Sequence, residues 1–288
     1  MITGKPKPSM HGSVSDRNNA PPTDKSDSRA NLTIAIQPEK VAKWLLIIVF
    51  AIVVLGAIAN IMIYNIAPST DHPIAKFMKR FDLGHEPSLP NWYSSVALLV
   101  TSILFTIIAS IERARNSVDR ARWVILAILF FILALDEAIM IHEMADKPMR
   151  DWLNTDGLLY FAWVIPYSIL VFLLALFFMP FMLRLDFRTR CLLIASAIMF
   201  IVGAIGIELV EGLIVTEYGV EGGFVSMRLT IAQVIEEALE MLAVVLCIYA
   251  LLDYLQRHIG ALVFNIPVKP TGRKYVELDL TDEADDKH

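Results

Sequence analysis

Two cysteines, Cys191 and Cys247, are all that the 288 residues carry, and both fall in or beside apolar stretches. That scarcity excludes a disulfide framework and a cysteine-based zinc site, and both residues read as small hydrophobes. Histidine is nearly as scarce. Of six, only His142 falls within an apolar segment. Basic side chains are missing where they would matter most, because 123–144, 191–215 and 229–255 contain no Lys or Arg. The formal charge of −5 is modest and gives no footing for a nucleic-acid partner.

Apolar sequence is what the chain has in excess. Hydrophobic residues make up 56% of it and the mean hydropathy is +0.57, against roughly 45–50% apolar in ordinary soluble domains. The excess is gathered into six runs at 41–67, 92–111, 123–144, 158–183, 191–215 and 229–255. Each meets the length of about 20 residues needed to cross a bilayer. The expectation is an all-α, polytopic bundle of six transmembrane helices at 41–256, with membrane lipids as its surroundings. Residues 1–40 are rich in Pro, Ser, Asp, Asn and Lys and read as a disordered tail, and 257–288 read as a second, acidic one.

Arginine placement orients the bundle. Arg113, Arg115, Arg120 and Arg122 lie between the second and third runs, and Arg184, Arg188 and Arg190 between the fourth and fifth. Together with Lys40, Lys43 and Arg257 near the ends, they share one side if both termini are cytoplasmic. The first outer loop, at 69–91, is long for a bundle connection. With Leu83, Leu89 and two prolines it reads either as an interfacial loop anchored by Trp92 and Tyr93 or as a lid.

Into three of these runs the sequence inserts acids: Asp136, Glu137 and Glu143, beside His142, in the third; Glu208 and Glu211 in the fifth; Glu236, Glu237 and Glu240 in the sixth. A charge at a bilayer centre costs roughly 2.5–3.5 kcal/mol on insertion scales, so each demands a reason. The third and fifth runs point outward with their acids in the second half, and the sixth points inward with its acids in the first half. All eight carboxylates therefore fall in the outer half of the bilayer, most within roughly 5–18 Å of the outer end.

At about 100° per residue, Gln233, Glu236, Glu237 and Glu240 share one arc of the sixth helix, and Glu208 and Glu211 lie about 60° apart on the fifth. On a continuous third helix, Asp136, Glu137, Met140 and Glu143 span about 120° and His142 falls outside that arc. Each helix can thus turn one acidic stripe inward.

Carboxylates this close cannot all ionise in a low dielectric. Cations neutralise them, or several hold protons, or they serve as hydrogen-bonding pairs between helices. Carboxylates with one imidazole suit Fe, Mn or Zn. The expected divalent-metal ligands are Asp136, Glu137, Glu143, Glu208, Glu211, Glu237 and Glu240, with His142 and Glu236 as the proton-handling, catalytic pair. Three functions compete: a metal-dependent membrane enzyme acting on an amphiphilic substrate, a cation or proton-coupled transporter, and a structural or sensor protein. The inner parts of the runs are nearly free of polar side chains, which favours a site over a conduit.

The run Asp136-Glu137-Ala138-Ile139-Met140-Ile141-His142-Glu143 resembles the DE-x4-HE pattern of uncharacterised bacterial multi-pass membrane proteins, as do the downstream glutamate pairs and Leu89-Pro90-Asn91-Trp92-Tyr93. The resemblance spans most of 44–254 and implies a bacterial inner-membrane bundle without implying a reaction. Better-known families fit less well. Ferritin-like di-iron proteins use Glu-x-x-His on two helices, where this chain has Glu208-x-x-Glu211 and Glu237-x-x-Glu240. Iron permeases use Arg-Glu-x-x-Glu, and here Ile207 and Glu236 stand where the arginine would be.

Overall fold

The structure, a computed structural model, describes residues 31–66, 73–85, 87–223, 226–260 and 263–267. Most of the two expected tails, 1–30 and 268–288, and part of the first outer loop lie outside these residues. The chain divides into two units. In one, strands β1 (Asn31–Ala35) and β2 (Val263–Pro267) pair as a two-stranded sheet. The other, Ala35–Val263, holds all the described helices.

Local chemistry sets the helix starts. Helix α1 (Pro38–Ile66) begins on a proline, whose missing N–H costs nothing in a first turn. A short α2 (Pro73–Met78) follows in the outer loop. Helix α3 (Leu89–Ala114) starts at Ser88, whose hydroxyl accepts from the Asn91 amide at 3.4 Å. Helices α4 (Arg120–Ile139) and α5 (Ile141–Leu153) are separated by one residue. Helix α6 (Val164–Arg184) leads to α7 (Phe187–Ile201), capped by Asp186. A π-helical turn, Val202–Ile207, joins α7 to α8 (Glu208–Gly223). The long α9 (Met227–Ile259) is capped by Ser226.

Among the described residues, five helical stretches are long and apolar enough to cross a membrane: α1, α3, α6, the α7–α8 run and α9. They become six if α4 and α5, bent by 77° to one another, count as one span. Two details differ from the sequence expectation. The third run is broken at Met140. The fourth helix starts at Val164, not near 158, so Pro166 sits in its first turn and produces no kink.

Helix α9 is the central post. Of its apolar window 67% is buried, against 17–22% for α1, α6 and α7–α8. The main core gathers α3, α4, α6, α7 and α9 around Trp123. The Trp123 ring lies 6.0 Å from Phe105, 5.0 Å from Phe181 and 5.2 Å from Tyr254 between centroids. Serines bridge neighbouring helices: Ser102 donates to Ala127 O at 2.7 Å, Ser95 to Ala134 O at 2.8 Å and Ser196 to Ala243 O at 2.8 Å. Small residues with a hydroxyl allow such close approach and add a hydrogen bond where no water competes.

One end of the bundle is tied by ion pairs. Asp119 engages Arg122 and Arg184, Asp253 engages Arg188 and Arg257, and Asp186 engages Arg257 at 3.0 Å. Hydrogen bonds from Arg184 lead the effects that hold the Asp119 carboxyl below its ordinary range. Partial burial pushes the Asp186 carboxyl up. Hydrogen bonds from the Thr189 amide and hydroxyl and from Arg257 outweigh it and bring the group to about 2. These pairs form two clusters at one end of the bundle, Asp119 with Arg122 and Arg184, and Asp186 and Asp253 with Arg188 and Arg257.

Asp186 caps α7 and ties it to α9, so Asp186→Ala is expected to lower stability in detergent by about 1–2 kcal/mol, read as a drop in Tm. The folded-state pKa lies below the unfolded value of about 3.9. The stabilisation is therefore complete above about pH 4 and is lost as pH falls toward 2. Melting curves across that window should fall more steeply for wild type than for Asp186→Ala, and equal slopes would remove Asp186 from the account.

Candidate functional site

The site begins where α4 stops. Met140 adopts a left-handed conformation, φ 57° and ψ 48°, and its amide closes onto Asp136 O at 2.7 Å. The next helix departs at 77°. Asp136 holds both sides of this break, because its Oδ1 accepts from the His142 amide at 3.0 Å at the start of α5. Its Oδ2 faces His142 Nδ1 at 3.3 Å and accepts from the Tyr167 hydroxyl at 3.3 Å.

The helical-wheel expectation for this run is thereby corrected. His142, outside the acidic arc on a continuous helix, is carried by the break to Asp136 and to the Trp163 ring, 4.9 Å away between centroids. Glu143 goes the other way. It lies on the exposed side of α5 and reaches the cavity only at its rim.

The second element is the π-helical turn before Glu208. Turns of this kind widen a helix locally and recur at functional sites. Gly203 within it lies against α9: a Cβ there would stand 3.0 Å from Glu240 Cγ and 3.2 Å from Glu236 O. This approach sets Glu208, Glu211 and Glu236 together, with one oxygen of each lying within 4.8 Å of the others. The Trp163 indole donates to Glu208 Oε1 at 3.1 Å. Glu211 is 3% exposed, and among the described residues no donor reaches its Oε1. A proton shared with Glu236, or a cation, is what could satisfy it.

These groups line one cavity of about 390 Å³. Asp136, Glu137, His142, Glu143, Glu208, Glu211, Glu236, Glu237 and Glu240, the nine positions singled out in the sequence, all border it, and among the described residues no Lys or Arg does. Glu137 is steadied by Asn91, whose side-chain amide donates to its carbonyl at 2.7 Å and its Oε1 at 3.1 Å. Leu98, Leu133, Phe161 and Phe200 supply apolar wall.

The outer loop covers part of this space. Leu83 is 2% exposed and packs with Val49, Ile52, Met241 and Val245, seated where a Cβ on Gly56 would stand 2.3 Å from its side chain. Gly84 rests on Gln233 so closely that a Cβ would fall 2.1 Å from Gln233 Oε1. The described part of this loop lines the cavity through Leu83 and Gly84.

Two contributors had no role in the sequence reading. Asn91 lies inside the aromatic loop motif, but nothing in its spacing points to Glu137. Asp146 lies beyond the expected end of the third span. It borders the cavity, accepts from the Ala162 amide at 2.7 Å and pairs with Arg150 at 3.4 Å.

Membrane-length helices closed around an acid-lined chamber define an all-α protein of membrane-protein build with a candidate cation-binding centre. The chain belongs to the family described as Domain of unknown function (DUF8692), whose model matches residues 45–255, a stretch that includes every acid of the chamber. No curated protein and no solved structure matches it.

Three substitutions at two positions test how the chamber is built. A left-handed residue costs an L-amino acid about 1–2 kcal/mol and a glycine almost nothing. Met140→Gly should therefore hold or raise Tm, and Met140→Ile should lower stability by about 1–2 kcal/mol. Gly203→Val should lower it by about 1–3 kcal/mol through overpacking against α9. Thermal unfolding in detergent reads all three, and a tolerated Gly203→Val would mean that α9 does not lie this close.

Proposed function

We propose that this chain is a polytopic membrane protein with six crossings, both termini cytoplasmic, and a divalent-metal centre in the outer half of the bilayer that serves a metal-dependent enzyme. The observation that carries the metal reading is the Glu208–Glu211–Glu236 cluster, with its buried Glu211 oxygen lacking a donor. Metal–oxygen bonds of about 2.0–2.2 Å place two ligands no more than about 4.4 Å apart across an ion. Three oxygens around one ion sit at most about 3.8 Å apart when equally spaced, so a set within 4.8 Å closes on a cation with shifts of less than about 1 Å for each oxygen.

The broken α4–α5 pair is read as the third crossing, interrupted at Met140. Broken spans are tolerated at membrane depth where the backbone borders a cavity. The arginine clusters at the opposite end support the cytoplasmic assignment.

A divalent Fe, Mn or Zn ion would supply an activated water or oxygen ligand. The residues around it divide the remaining work. Glu208, Glu211 and Glu236 bind, with Glu237 and Glu240 on the same wall. Asp136 orients His142, which is placed to move protons. Trp163 and Tyr167 fix Glu208 and Asp136. The apolar wall and the outer-leaflet depth suit an amphiphilic substrate.

Transport is supported less well. Phe105, Trp123, Phe181, Leu251 and Leu255 are each 1% exposed or less and fill the bundle toward the arginine end. A path inward would have to pass that packing. Purely structural acids fit less well still, since interhelical hydrogen bonds average only about 0.6 kcal/mol and Glu211 Oε1 makes none.

Elemental analysis of the full chain in detergent, stripped with chelator and reloaded separately with Fe, Mn and Zn, tests the metal. About one equivalent of one ion is expected, falling at least tenfold in Glu211→Gln and Glu236→Gln. If the folded protein retains none of the three, and Glu236→Gln raises Tm, the acids form a proton-sharing network and the metalloenzyme reading fails.

A further inference from the structure

A second cavity lies on the outer surface of the bundle, away from the acids. It is a groove of about 800 Å³ between α3 and α4, ending at Arg113 and Arg120. Its α3 wall is low, formed by Ser102, Thr106 and Ser110. Its α4 wall is high, formed by the exposed Val124, Ile128 and Phe131.

The hydroxyls do not ask for a polar occupant. Ser102 donates to Ala127 O, Thr106 to Ser102 O at 2.9 Å and Ser110 to Thr106 O at 2.9 Å. What remains is an apolar trough. From Arg113 back to Ser102, and from Arg120 on to Phe131, each helix rises about 16 Å at 1.5 Å per residue. That is about half of a 30 Å hydrocarbon core, the depth of one leaflet.

The charge at its end is unmatched. The neighbouring acids are already engaged: Glu112 with Arg115 at 3.3 Å and the Tyr254 hydroxyl at 3.4 Å, and Asp119 with Arg122 and Arg184. Among the described residues, Arg113 and Arg120 make no ion pair. Helix α4 also begins without a side-chain cap, so its positive end adds to theirs.

We propose that this groove binds one anionic phospholipid, its phosphate held by Arg113 and Arg120 at the α4 N-terminus and one acyl chain laid along the α3–α4 trough. The tail contributes fit and little selectivity, because bilayer lipid is as apolar as the groove. The headgroup selects. Two basic side chains near a membrane surface favour an anionic headgroup by about thirtyfold. The site is independent of the metal centre, so neither reading depends on the other.

The full chain in nanodiscs or detergent, offered phosphatidylglycerol and phosphatidylcholine together, tests this by native mass spectrometry of the retained lipid. Wild type is expected to keep one phosphatidylglycerol with about thirtyfold preference. Arg113→Gln/Arg120→Gln should bring the preference near parity, and the double Lys variant should keep most of it. Ser110→Phe, which fills the trough and leaves both arginines, should shed the lipid. All of these side chains are exposed, and Tm in phosphatidylcholine verifies that each variant is folded.

Four outcomes overturn the proposal. Wild type shows no preference; the Gln variant keeps it; millimolar inorganic phosphate alone abolishes it, which makes the site one for a free anion; or Ser110→Phe converts a dimer to a monomer, which makes the groove an interface between copies of this chain.

Discussion

Three carboxyl groups with oxygens within 4.8 Å of one another cannot all keep their charge away from water. Something must be shared among them, and the helices around Glu208, Glu211 and Glu236 are arranged so that they stay together regardless. Gly203 lets α9 approach the π-helical turn, Trp163 pins Glu208, and Leu83 and Gly84 lie over the cavity against α1 and α9. The aromatic packing around Trp123 fills the bundle toward its other end. The close approach at Gly203 and the Trp163 bond to Glu208 serve the acids, while the packing of Leu83 and Trp123 is ordinary apolar core.

Charge is segregated along the bundle, and the two ends use opposite strategies. At the arginine end every described buried or half-buried acid meets a cation: Asp119, Asp186, Asp253 and Glu112 all have arginine partners. In the chamber no Lys or Arg lines the wall among the described residues, and of its acids Asp146 pairs with an arginine, Arg150. The first arrangement is satisfied within the chain and ties helices together. The second is left to be completed by protons or by an ion, and for that reason it is the part of the molecule read here as a site.

Much of the fold is legible in the sequence because insertion into lipid permits few solutions. The apolar runs mark their own lengths, and burying a carboxylate costs enough to make Glu211 or Glu236 conspicuous on inspection. Period and depth then carry all three acidic stretches to a common level. Met140 escapes that reasoning. Nothing about a methionine between Ile139 and Ile141 signals a left-handed break, and the hydrogen bonds that Asp136 accepts from the Met140 and His142 amides are tertiary in effect although local in sequence. His142 and Glu143 consequently exchange roles relative to a regular helix. Asp146 and Asn91 are invisible for a simpler reason: their partners, Ala162 and Glu137, are brought to them only by the folded connections.

The π-helical turn at Val202–Ile207 has a consequence for how such a chamber could arise or vanish. A widened turn holds one more residue than the α-helical ladder requires. Closing that turn into a regular α-helix with the same number of residues would rotate everything beyond it by about 100° relative to α7, carrying Glu208 and Glu211 off the face that meets α9. Whether this bundle encloses an acid chamber or only bears a polar stripe is thus set by the winding of a single turn.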